Sequence, residues 1–155
     1  MKLLISIASL LTLAGCMSTL QMYPGPPRTE SETAKIALVG QGGRVWVRGI
    51  DGHQLNMAER DAAIAYVLPG AHTFDVEYRW GGVFTPGTLS DKVPVRLEVA
   101  ASNLYVLHYQ MKDEKVAFWF ENYGPGFPEP CFPIAAGTGG PNSPQALECL
   151  AKQRK

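Results

Sequence analysis

His72-Thr73-Phe74-Asp75-Val76-Glu77-Tyr78-Arg79 puts a ring or an aliphatic side chain at every second position and a polar one between. Side chains of an extended chain point alternately to opposite faces, so this stretch reads as a strand with one buried face and one polar face. Pro69-Gly70 just before it marks a turn, and Ile64-Ala65-Tyr66-Val67-Leu68 is a short apolar strand ending at that turn. Downstream, Val93, Val95, Leu97 and Val99 alternate with Pro94, Arg96 and Glu98. Pro94 has no N–H to give a ladder, so this strand belongs at a sheet edge.

The same pattern extends both ways. Residues 35–39 form a first strand and Gly40-Gln41-Gly42-Gly43 turns the chain. Val45, Val47 and Ile50 mark a second strand, with Arg44, Trp46 and Arg48 on its other face, and Asp51-Gly52 is a strong turn signal. Residues 57–63 are one turn of helix or an irregular crossing. Residues 104–111 and 116–120 read as two more strands around the polar turn 112–115. About seven short strands follow one another with no helical crossover of adequate length, so pairing is mainly antiparallel. The expected class is all-β: a small, mainly antiparallel β-sandwich, with a partly closed barrel as the alternative.

Residues 122–144 break the pattern. Nearly half are Gly or Pro, which excludes a regular helix or a central strand. The segment still carries Phe127, Cys131, Phe132 and Ile134, so part of it packs on the sandwich. Ser143-Pro144 reads as the cap and first residue of a short helix to about residue 153.

Lysine plus arginine and aspartate plus glutamate number 14 each, for zero formal charge, and no basic cluster stands out. Nucleic-acid binding is therefore not expected. The N-terminus is more telling. Lys2 precedes an apolar run from Leu3 to Leu13, too short to span a bilayer and shaped like a secretory signal. It ends in Leu13-Ala14-Gly15-Cys16. This tetrapeptide resembles the lipobox of bacterial lipoproteins. The resemblance implies cleavage before Cys16, a diacylglycerol on its sulfur and an acylated amine, which together hold a protein stably on a membrane. Met17, rather than Asp, follows the cysteine, and by analogy with enterobacterial sorting this points to the outer membrane, facing the periplasm.

The expected organisation is a signal peptide at 1–15, a lipidated tether at 16–33, a β-sandwich domain at 34–121 and a Pro/Gly-rich, disulfide-linked tail at 122–155. The tether's Tyr23-Pro24-Gly25-Pro26-Pro27-Arg28 favours extended backbone, and Tyr23 is its residue best suited to pack on the domain. Cys131 and Cys149 remain as an even pair in an oxidising compartment, and a disulfide between them is expected.

Catalytic chemistry has little to stand on. Gly40-Gln41-Gly42-Gly43 lacks the lysine and following helix of a phosphate loop, and no nucleophile elbow, HExxH or CxxC pattern occurs. No enzyme, metal site or cofactor is expected. His72 and His108 read as structural strand residues and His53 as an exposed turn residue. Glu77, Arg79, Arg96 and Glu98 read as a solvated sheet face with cross-strand ion pairs. Trp80 and Phe84 sit in or beside the Gly-containing segment 81–87 and are the candidate contacts for a partner, because aromatics dominate interface energetics.

Tyr23 to Arg28, Asp51-Gly52 and Leu68-Pro69-Gly70-Ala71-His72-Thr73, followed by Leu104-Tyr105-Val106, resemble a group of short uncharacterised lipoproteins of Gram-negative bacteria. The Asp-Gly and Pro-Gly-x-His elements also look like PEGA-type β-sandwich modules of cell-surface proteins. Ile50 stands where the group's pattern has Val before Asp-Gly. The resemblance spans most of residues 23–120, implies a β-sandwich and implies no activity. The expected role is a membrane-anchored, non-enzymatic binding or structural module whose partner is an envelope protein or a cell-wall component. The alternative is an inhibitor of an envelope-attacking hydrolase such as lysozyme, working through residues 81–91 with Ser90 and the neighbouring Lys92.

Overall fold

The strand at residues 72–78 becomes the centre of one of two packed sheets. The computed structural model describes residues 19–79, 92–113, 115–128, 131–137, 144 and 147–149. Nine strands appear among them: β1 (Thr19–Gln21), β2 (Ala34–Ala37), β3 (Val45–Ile50), β4 (His53–Gln54), β5 (Ile64–Val67), β6 (Gly70–Tyr78), β7 (Val93–Val99), β8 (Asn103–Lys112) and β9 (Lys115–Pro125). Helix is confined to short pieces, including α1 (Met57–Arg60) and α2 (Phe132–Ala135). Among the described residues no helix is long and apolar enough to cross a membrane.

One sheet has the order β1-β5-β2-β8-β9 and the other β4-β3-β6-β7. All pairs are antiparallel except β1 with β5 and β2 with β8. Between the parallel strands β2 and β8 the chain builds the four-stranded sheet and adds β5 to the first sheet before returning. All seven expected strands are present. The two additional ones, β1 and β4, are three and two residues long, too short for alternation to register in sequence. The fold is thus a small all-β sandwich, and β7, with Pro94, is an edge as expected.

Between the sheets, Ile36, Val45, Val47, Phe74, Val76 and Leu107 are fully buried. In β3, Val45 and Val47 face inward, and a register shift between Val47 and Gly49 lets Ile50 face inward too. Phe74 meets Phe120 across the sandwich, with ring centres 4.9 Å apart, and Tyr78 meets Tyr109 at 4.6 Å. Such pairs add to what burial alone contributes.

The tether region is not simply extended. β1 adds to the sheet edge, and Leu20 and Met22 pack against the inter-sheet core. The half-buried Tyr23 also makes local hydrogen bonds: its hydroxyl accepts from the Arg28 N–H at 3.0 Å, and the Gln21 amide donates to the Tyr23 and Gly25 carbonyls.

Glu77 also departs from expectation. It is buried, and Arg48 Nε donates to its Oε2 at 2.6 Å while the Arg48 guanidinium lies 5.1 Å from the Trp46 ring centre. The alternation places Glu77 on the outer face correctly, but at this position Arg48 covers the face. Of the other three residues of that expected face, Arg79, Arg96 and Glu98 are exposed.

Beyond β9 the tail folds back on the outer face of the five-stranded sheet. Ala37, Leu104 and Val106 from that face form a second apolar cluster with Phe127, Cys131, Phe132, Ala136 and Cys149. The Cys131 and Cys149 sulfurs are at bonding distance, with Cα atoms 5.5 Å apart. Pro144 and residues 147–149 are helical, as expected; the rest of the expected helix lies outside the described residues.

Candidate functional site

The turn motifs gather into a clasp. Asp51 and Gly52 adopt φ of 51° and 82°, the left-handed values of a two-residue hairpin turn, which joins Ile50 to its partner His53. Asp51 Oδ1 accepts from the Thr73 backbone N–H at 2.8 Å, and Asp51 Oδ2 meets His72 Nδ1. The other ring nitrogen of His72 lies 2.7 Å from the Leu68 carbonyl oxygen. His72 therefore ties the turn before β4 to the turn before β6. One ring nitrogen meets a turn carboxylate and the other a backbone carbonyl, so both serve to hold turns, which is a structural duty.

His53 is half-exposed and lies 3.0 Å from Glu59 of α1. Asn56 and Glu59 cap each other's backbone N–H at the start of that helix. The Asn56 N–H holds the Glu59 carboxyl below its ordinary range, with His53 adding to it. A cleft of about 390 Å³ opens beside Tyr23, Asp51, His53 and Glu59. Its charged groups are already satisfied by the clasp and the cap.

The cluster at β8 and β9 is different. Odd residues of β9 from Ala117 to Tyr123 share the outer face of the sheet, so Trp119, Glu121 and Tyr123 stand in a row. His108 of β8 is the register partner of Trp119. Its ring stacks between Trp119 (5.8 Å, 23°) and Tyr123 (6.5 Å, 20°), and Tyr123 meets Phe127 edge-on at 5.2 Å. Trp119 is 43% exposed despite this packing.

Polar contacts converge on Glu121. The Tyr123 hydroxyl donates to its Oε2 at 3.3 Å and lies 3.4 Å from the Ala135 carbonyl oxygen. His108 Nε2 is 3.0 Å from the same carboxylate oxygen, yet off the axis a hydrogen bond requires, and so is screened from solvent without a hydrogen-bond partner. Burial pushes the Tyr123 phenol up to about 12, with the Glu121 charge and hydrogen bond adding to it. Burial also lowers His108 below its ordinary value, against the opposing pull of Glu121. At neutral pH this face therefore presents a neutral imidazole and a neutral phenol beside a half-exposed carboxylate.

A cleft of about 540 Å³ opens at the end of this row, lined by Glu121, Asn122, Tyr123, Phe127, Pro128 and Cys149 among others. One wall is the edge strand; the other is the tail held by the Cys131–Cys149 link. The cleft sets the polar groups of Glu121, Asn122 and Tyr123 beside Phe127 and Pro128, and a cleft holding a group with a perturbed titration is a candidate binding site. Among the described residues no group of three or more His, Cys, Asp or Glu is placed to hold a metal ion.

Of the residues singled out from sequence, Cys131 and Cys149 come together, and Cys149 lines the cleft. Cys16, Trp80 and Phe84 lie outside the described residues. Glu121 and Tyr123 lie beyond the strand expected at residues 116–120, because β9 runs on to Pro125. The available signal was Trp119-x-Glu121-x-Tyr123, whose period of two continues that strand. No family model matches the chain, and neither a curated protein nor a solved structure does.

Proposed function

We propose that the chain is a membrane-anchored envelope lipoprotein, held by lipid on Cys16 at the outer membrane and facing the periplasm, and that it serves as a non-enzymatic binding module. Leu13-Ala14-Gly15-Cys16 supports the anchor. The binding role is carried by the cleft lined by Glu121, Tyr123, Phe127 and Pro128, with Trp119 exposed along the same row of the sheet face. Its ligand is an envelope protein or a cell-wall component, contacted by the aromatic row and oriented by the Glu121 carboxylate.

Two measurements test this reading. Palmitate labelling of cells expressing the full chain should mark the protein, and Cys16→Ala should abolish both the label and membrane fractionation; an unlabelled, freely soluble protein defeats the anchor. Crosslinked envelope extracts should yield a partner enriched by the wild-type chain and lost with Trp119→Ala. Enrichment that is the same for both proteins removes the cleft as the binding surface.

A further inference from the structure

The two sheets have four edge strands, and they are not alike. β1 is three residues long and β4 two. β7 carries Pro94 together with exposed Arg96 and Glu98. Short length, proline and charge are the usual means of keeping a sheet edge from pairing. β9 has eleven residues, and from Lys115 to Glu121 it contains no proline and no register shift. Among the described residues nothing pairs with its outer edge.

The ladder fixes which groups that edge offers. Lys112 and Lys115 close a two-residue turn in which Asp113 has a φ of 48°. The closing pair of such a hairpin exchanges hydrogen bonds, and hydrogen-bonded pairs then recur at every second residue. Lys115, Ala117, Trp119 and Glu121 therefore spend their backbone groups on β8. Val116, Phe118 and Phe120 point theirs outward, and their side chains are half-buried against the inter-sheet core.

We propose that two copies of this chain pair antiparallel along β9 about a two-fold axis, with Phe118 opposite Phe118, joining the two five-stranded sheets into one. In this register every cross-strand neighbour is favourable. On the core face, Phe118 meets its own copy and Val116 meets Phe120. On the outer face, Lys115 meets Glu121 and Ala117 leaves room for Trp119. Each of these contacts occurs twice by symmetry except the central one, as expected of an isologous interface. Moving the register by one pair sets Val116 against Asn122 and Ala117 against Glu121 in one direction, or Lys115 against Trp119 and Glu121 against Asp113 in the other; both leave Lys115 without a counter-charge, so the sequence favours one alignment. The outcome also aligns the two Trp119–Glu121–Tyr123 rows on one continuous surface.

Sedimentation equilibrium of the full chain in non-ionic detergent tests the pairing. Wild type should move from monomer to dimer as concentration rises. Lys115→Glu and Glu121→Lys each turn both symmetric contacts from attraction into repulsion, and each should raise the dissociation constant about tenfold. The double reversal, Lys115→Glu with Glu121→Lys, should restore it. Hydrogen exchange should show protection at the Val116, Phe118 and Phe120 amides that grows with concentration, while Ala117 and Trp119 remain protected throughout. A chain that stays monomeric up to millimolar concentration overturns the proposal. So does a dimer indifferent to both single reversals, or a monomer whose β9 edge amides become protected only on adding envelope extract.

Discussion

The five-stranded sheet carries an apolar cluster on each face, and the two are built differently. Strand β8 belongs to both: Tyr105 and Leu107 point between the sheets, while Leu104 and Val106 point outward under the tail. The inner cluster is assembled from strands whose alternation already specifies a buried face. The outer one covers its strands with Phe127, Phe132 and Ala136 from a segment whose one complete described helix, α2, has four residues. A glycine- and proline-rich segment has few ladder bonds to hold it in place and many conformations to lose on ordering. Regular pairing therefore holds the first core, whereas the second relies on a cysteine pair at bonding distance.

The largest expected effect comes from breaking the inner core. Phe74 is fully buried and packs on Phe120, so Phe74→Ala should cost about 4 kcal/mol, read as a lower denaturation midpoint. The outer core should respond differently. Cys131 and Cys149 are 18 residues apart, and losing a link that closes such a loop costs about 3 kcal/mol. Cys131→Ser with Cys149→Ser should therefore lower stability while leaving the far-ultraviolet spectrum β-dominated, and should loosen the Tyr123 and Phe127 ring signals in NMR. If those rings stay ordered without the link, the contrast between the two cores fails.

A smaller effect separates the clasp from both cores. Asp51→Ala removes the acceptor of the Thr73 N–H and the partner of His72, at about 1–2 kcal/mol. Because the clasp lies on the four-stranded sheet, the loss should add to that of the disulfide variant rather than couple with it. A double-mutant cycle checks this.

How much of this was legible follows from the same contrast. His72 to Tyr78 announced its strand because one face is buried and the other polar, and Pro94 announced an edge because a proline cannot give a ladder bond. Period two fixes the face a residue occupies but not what lies over that face, so Glu77 was read as solvated although Arg48 covers it. The clasp residues were visible as turn signals, yet their mutual contacts depend on the register of β3 against β6. The site was the least legible part. His108 meets Trp119 through strand pairing, and the cleft needs the tail's return path, which glycine and proline composition does not determine. In the tail, the cysteine pair, the packing of Phe127 and Phe132 and the helix at Pro144 were legible from residue type alone.

The finest test of the contrast uses protons at the border of the outer core. Burial lowers the His108 pKa below 6.5 while Glu121 pulls it up. The unfolded chain thus takes up a proton at a higher pH than the folded one, so His108 disfavours folding as pH falls from 6.5 to its folded value, and below that the penalty is constant. His108→Gln removes this titration and should flatten the stability profile in that window. Glu121→Gln removes the opposing pull, so the folded His108 should titrate at lower pH and the fall should extend further into acid. NMR titration of the His108 ring reads the shift directly. If Glu121→Gln leaves that titration in place, the carboxylate 3.0 Å away exerts no pull on the ring, and the cleft lacks the negative potential on which its reading as a binding surface depends.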